Sequence, residues 1–142
     1  MRGRPLLLAC AGLLGAALGV SGCFTERQNE SAKLYATHCA NCHGARGEGL
    51  QRLIPPLARA DYLVKNRARL ACVLRKGLTG PVVVNGVEFN QVMPAADAHL
   101  TDSQITNLLN FIQTSWGNQG EVLTIREVEA QLEGCGVIPD GH

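Results

Sequence analysis

Two thiols three positions apart, followed at once by an imidazole, form the densest concentration of chemistry in the chain: Cys39-Ala40-Asn41-Cys42-His43. A helical turn brings Cys39 and Cys42 to one side, where each sulfur can add to a vinyl group of haem as a thioether. His43 then stands beneath the iron and can supply its proximal nitrogen. A CxxC pair has other uses, and metal or thiol chemistry is the alternative to haem. A redox dithiol calls for a thioredoxin-like βαβ context, which this chain lacks. A zinc site needs a fourth ligand and usually a second paired cluster, and neither is present. Covalent haem is the reading adopted.

The elements that must hold these residues follow from periodicity and turn chemistry. Residues 30–42 read as one helix entering the motif, with Leu34 and Tyr35 as its large apolar residues. Three glycines within residues 44–49 force a sharp turn. Ile54-Pro55-Pro56-Leu57 is then stiff and non-helical. Residues 61–76 return to helical spacing, offering Leu63, Val64, Ala68, Ala71 and Leu74 to one side. Val82-Val83-Val84-Asn85-Gly86-Val87 predicts a small hairpin turning at Asn-Gly. Met93-Pro94 follows in a non-periodic stretch.

Thr101 with Gln104 fits a capping box, flanked by a Leu100–Ile105 staple. The helix it opens carries Ile105, Leu108, Leu109 and Ile112 and is expected to stop at Gly117. Thr124 with Glu127, stapled by Leu123 and Val128, predicts a last short helix ending at Gly134.

The N-terminus reads as a sorting signal. Arg2 and Arg4 precede an apolar run from Leu6 to Val20 that is short and rich in glycine and alanine for a membrane span. The run ends in Val20-Ser21-Gly22-Cys23, which resembles the lipobox of bacterial lipoproteins, in which the chain is cut before a cysteine that carries lipid. The expected organisation is a signal peptide over 1–22, lipidated Cys23 and a polar tether over 23–29, a haem domain over 30–117, and a C-terminal extension over 118–142. An uncleaved anchor, or a plain secretory signal with Cys23 a leftover thiol, is the alternative. Without Arg2 and Arg4 the 13 basic residues fall to 11, against 12 acidic ones. That balance gives no reason to expect nucleic-acid binding. Residues 52–76 hold seven basic side chains against Asp61 alone, whereas residues 88–142 hold eight acids against Arg126. Such asymmetry either orients a docking partner or marks solvated faces of opposite sign.

The order of helix, CxxCH, glycine turn, proline segment, helix, methionine loop and capped helix resembles the class I cytochrome c family, over residues 31 to about 117. The resemblance implies an all-α cytochrome c fold wrapped around one covalent haem c, here with a small β-hairpin insertion and a short C-terminal helical extension. It implies Cys39 and Cys42 as thioether donors, and His43 and Met93 as axial iron ligands. It also implies a proline carbonyl that accepts the Nδ1 hydrogen of His43, for which Pro55 is the match and Pro56 the neighbour. Core filling is the bland role for Met93, and His99 is the substitute sixth ligand. The first and last helices of such proteins cross at small and aromatic residues, here Tyr35 and Phe111, and Trp116 is read as packing.

Of six cysteines, Cys72 and Cys135 then remain. In an exported setting they are expected to form a disulfide, two separate thiols being the alternative. The function implied is one-electron transfer in a bacterial respiratory chain, at the periplasmic side of a membrane and without a catalysed substrate reaction. The partners would be a redox protein donor and acceptor plus the membrane, through the lipid anchor, with no small-molecule substrate. The alternatives are the cytochrome subunit of a periplasmic dehydrogenase or reductase and, further off, a haem gas sensor with an open iron.

Overall fold

The structure is a computed structural model describing residues 21–136. Residues 1–20, with nearly all of the predicted signal peptide, lie outside the described residues, as do residues 137–142 and the side chain of Cys23.

Helix α1 spans Ser21–His38. It begins earlier than expected, so residues 24–29 are helical. No glycine or proline occurs from Phe24 to His43, and Glu26, Arg27 and Gln28 are good helix formers. The predicted single helix into the haem motif is instead two. Cys39, at φ −125° and ψ −39°, breaks it before α2, Ala40–His43.

A second correction concerns residues 61–76. They form α3 (Asp61–Lys65), a 3₁₀ turn (Arg67–Arg69) and α4 (Leu70–Lys76). The break at Asn66 resets the helical phase. Leu63, Leu70, Ala71 and Leu74 are therefore buried, while Val64 is 64% exposed and Ala68 is exposed. The hairpin forms as expected: β1 (Val82–Val84) pairs antiparallel with β2 (Val87–Phe89), Val84 opposite Val87. Asn85 and Gly86 take φ of 52° and 76°, the pair of positive angles that a two-residue turn of this hand requires.

Helix α5 (Asp102–Thr114) opens on the complete Thr101/Gln104 capping box, with Leu100 and Ile105 both buried. It ends at Thr114, three residues before Gly117. The Asn118 side chain closes it early by donating to the carbonyl of Ile112 at 2.7 Å and to that of Leu57 at 2.9 Å. Helix α6 (Ile125–Glu133) has the second complete capping box and ends at Gly134, both as expected.

The core is built on α5. Ile105, Leu108, Leu109 and Ile112 are at most 3% exposed, each contributing about 1.5–3 kcal/mol of burial. Helix α1 packs across α5 through an aromatic cluster. Tyr35 lies 5.7 Å from Phe111 and 4.7 Å from Trp116, ring centre to ring centre, and Phe111 and Trp116 meet edge to face. Such pairs add about 0.5–1.5 kcal/mol each beyond their burial.

Helix α6 straps α4 and α5 from outside. Arg67 donates to the carbonyl of Val122 at 2.8 Å and to the Glu127 carboxylate at 2.9 Å, while Gln131 returns a bond to the Arg67 carbonyl. Arg75 pairs with Asp102 at 3.3 Å. The charge asymmetry of the sequence is thus partly consumed inside the molecule. Cys72 on α4 and Cys135 after α6 are disulfide-bonded, their Cα atoms 5.5 Å apart. Among the described residues no helix is long and apolar enough to cross a membrane.

Candidate haem-binding site

Cys39 owes its place to the break between α1 and α2. Its amide bonds back to the Tyr35 carbonyl at 2.9 Å, and its own carbonyl accepts the His43 amide at 2.9 Å. The single turn that results leaves Cys39 buried and Cys42 exposed, both as free thiols. Burial pushes the Cys39 thiol up to about 11, so it is protonated at neutral pH. Tyr35 fixes the exit of this turn through a 2.7 Å hydrogen bond to the Gly44 carbonyl, and burial raises its own pKa.

His43 is 7% exposed. Its Nδ1–H donates to the Pro55 carbonyl at 3.0 Å, which leaves Nε2 as the free ring nitrogen. Burial lowers the imidazole pKa, and the Pro55 carbonyl opposes that shift. The proline segment reaches His43 because Gly49 sits between them. The Gly49 amide bonds to the His43 carbonyl at 2.8 Å. A Cβ at Gly49 would lie 2.8 Å from both Pro55 C and Pro56 N, well inside van der Waals contact.

Met93 is fixed by its main chain. Leu78 and Met93 exchange both backbone hydrogen bonds, at 2.8 and 2.9 Å, and the Ala96 amide bonds to the Leu74 carbonyl at 2.8 Å. Gly77, at φ 77° and ψ −168°, closes α4 directly against this segment, and a Cβ there would run into Met93 O and the backbone of 94–95.

An apolar cavity is lined by Cys39, His43, Pro55 and Met93, with Leu63, Leu70, Leu74, Leu109 and Ile112 among its other walls. A flat apolar macrocycle fits that lining, with a buried sulfur at its edge and an imidazole nitrogen and a thioether available to its iron. When bound, haem supplies a reversible one-electron iron couple. His99 is exposed, bonds through its backbone amide to Asp97, and does not line the cavity.

Three structurally important residues escape the sequence reading. Gly77 could have been found as the glycine after a last turn ending in Arg75-Lys76. Gln113, four residues past Leu109, lies on the buried stripe of α5 and is 1% exposed. Arg67, the hub of the α6 strap, carries no local signal, because its partners lie at least 54 residues away.

The sequence profile of the family named Cytochrome c matches residues 29–116. Cytochrome c-552 of Thermus thermophilus is 39% identical over 108 residues, covering 73% of this chain and 81% of that protein. The cytochrome c subunit of the quinone alcohol dehydrogenase of Gluconacetobacter polyoxogenes is 33% identical over 113 residues, 74% of this chain but 24% of that subunit. The cytochrome c subunit of gluconate 2-dehydrogenase from Pantoea cypripedii is 34% identical over 103 residues, 71% of this chain and 23% of the subunit. The chain therefore belongs to the cytochrome c family, whose members carry covalent haem c and transfer electrons.

Proposed function

We propose that this chain is a six-coordinate, monohaem electron carrier, with Cys39 and Cys42 as thioether donors and His43 and Met93 as axial ligands. One observation carries the reading: His43 and Met93 line the same apolar cavity, and the Nδ1 of His43 is already engaged by Pro55. The Pro55 carbonyl fixes the ring and keeps Nε2 free for iron. The bridge to Leu78 fixes Met93 from the other strand, so neither ligand depends on a mobile segment. Leu63, Leu70 and Leu109 exclude water and keep the local dielectric low. A thioether favours ferrous iron, so this ligand pair raises the reduction potential. It also closes the iron to exogenous molecules, which suits electron transfer and leaves no position for a substrate.

Cys23 would be lipidated and would hold the domain at the periplasmic side of a bacterial membrane, next to a redox protein donor and acceptor. Supporting this are the lipobox-like Val20-Ser21-Gly22-Cys23 and the apolar run before it. Fatty-acid labelling that disappears in Cys23→Ser checks the anchor.

A second reading, a dedicated electron-transfer subunit of a dehydrogenase, draws support from the similarity to dehydrogenase cytochrome subunits. Co-purification of a larger subunit from detergent-solubilised membranes separates it from a free carrier.

The deciding experiment is the absorption spectrum. A far-red methionine-to-iron band in the oxidised protein, with no carbon monoxide shift in the reduced protein, is expected. Ready carbon monoxide binding without that band would leave a gas-binding role in its place.

A further inference from the structure

Gln113 is a buried polar group with nothing to bond to. It is 1% exposed, and neither its Nε2 nor its Oε1 has a hydrogen-bond partner. Burying an amide without partners is costly, so such a group marks a place where something polar belongs. The side chain is confined there. A Cβ on Gly120 would overlap Oε1, so the glycine leaves room for the carboxamide, and the Gly120 amide bonds to the Gln113 carbonyl at 3.1 Å.

Gln113 stands between two spaces. It lines the haem cavity, and it also lines an open cleft that shares Ala60 and Leu63 with that cavity and contains Arg59 and Asn118. The other polar side chains on the cavity wall are His43, held by Pro55, and the half-buried Tyr62. Exposed Arg59 is in no ion pair among the described residues. Asp61, the carboxylate of the cleft, is already engaged by Lys65 at 2.7 Å and by the Asn85 amide at 2.7 Å.

A haem is apolar except at its iron and at the two carboxylates of one edge. Those carboxylates need donors, and they favour the side of the cavity that offers an amide and an unpaired cation. We propose that Gln113 donates its Nε2–H to a haem propionate, and that the propionate edge faces the Arg59 cleft. The inference rests on haem occupying the cavity.

The test is the reduction potential of the holoprotein as a function of pH, in the unaltered chain and in Gln113→Leu. Gln113→Met replaces the leucine variant if that variant fails to attach haem. The charged and titratable groups around this edge are Arg59, Asp61, Tyr62 and Arg69. Lys65 holds the Asp61 carboxyl low, and burial pushes the Tyr62 phenol up, so neither changes charge between weakly acid and neutral pH. A step there that moves when Gln113 is replaced reports the propionate, since the histidines outside this edge are common to all the variants.

A donor stabilises the ionised carboxylate. Its loss raises the propionate pKa, and the step in potential is expected to move upward by about one pH unit or more. If the unaltered protein is flat because the propionate stays ionised, the step appears only in the variant. Arg59→Gln is expected to move it in the same direction by less, since that side chain is exposed. Superimposable curves for all three proteins, each with full covalent haem, overturn the placement. An unaltered protein without covalent haem overturns the cofactor assignment together with it.

Discussion

A methyl group added at Gly77 tests how the methionine ligand is held. The backbone there has φ 77° and ψ −168°, a region that is essentially reserved for glycine and costs a side chain roughly 1–3 kcal/mol. Strain alone destabilises the fold without touching the iron. The added carbon would, however, sit 2.8 Å from Ala95 N and 2.9 Å from Pro94 C, where ordinary contact begins at 3.4 Å. Its neighbours are backbone, so they cannot rotate away. Met93 O is closer still, so the 93–95 segment must retreat by more than about 0.6 Å, a large displacement in a close-packed interior. Gly80→Ala is the matched control, since it also has positive φ, at 85°, but its Cβ would have nothing within 4 Å. Both variants are expected to lose stability in denaturant unfolding. Only Gly77→Ala is expected to weaken the far-red methionine band, admit carbon monoxide to the reduced iron and lower the potential. If Gly77→Ala keeps the band, refuses carbon monoxide and matches Gly80→Ala in stability, then Gly77 does not position Met93.

Gly49→Ala should act on the opposite ligand by pushing the Pro55 carbonyl away from His43; losing that acceptor makes the imidazole a poorer donor to ferric iron, so potentiometry should find a higher potential with the methionine band intact. Reducing the Cys72–Cys135 bond, which spans 63 residues, should cost up to about 4 kcal/mol in the chain-entropy model. Calorimetry with and without reductant reads that loss, and a melting temperature indifferent to reductant counts against it. Arg67, with help from Thr124, holds the Glu127 carboxyl down at about 2. A folded-state pKa below the unfolded one stabilises the fold above the ordinary carboxylate range, and that share is lost as pH falls towards 2. Glu127→Gln should therefore be less stable than the unaltered protein at neutral pH and match it at the acid end of a melting series, and a constant difference at every pH would refute the pairing.

The parts of this fold legible in the sequence are those specified by neighbours. The Thr101/Gln104 and Thr124/Glu127 boxes, the Asn85-Gly86 turn and the stripe on α5 each rest on residues a few positions apart, and each forms as read. Failures occur where distant contacts intervene. Helical spacing alone placed Val64 inside, but the break at Asn66 turned it to solvent. Gly117 looked like the end of α5, yet Asn118 reached the Ile112 and Leu57 carbonyls first. At the site, Pro55 was distinguished from Pro56 by the family resemblance alone, and the structure brings the Pro55 carbonyl to His43. Gln113 goes unremarked in the sequence, because a sequence does not reveal which side of an amphipathic helix a second cleft will cover.

The strap formed by α6 fastens to Arg67, Ala71 and Cys72 and to the outer side of α5, and no residue of α6 lines the haem cavity. The chain is in this sense two workshops sharing one wall. Neither Cys72 nor Cys135 lines the cavity, so the two sulfurs that close the disulfide stand apart from Cys39, the buried sulfur at the cavity wall, and from Cys42, which is open to solvent. The covalent tie that fastens the strap and the one that would hold the cofactor thus draw on separate pairs of cysteines at separate places in the fold.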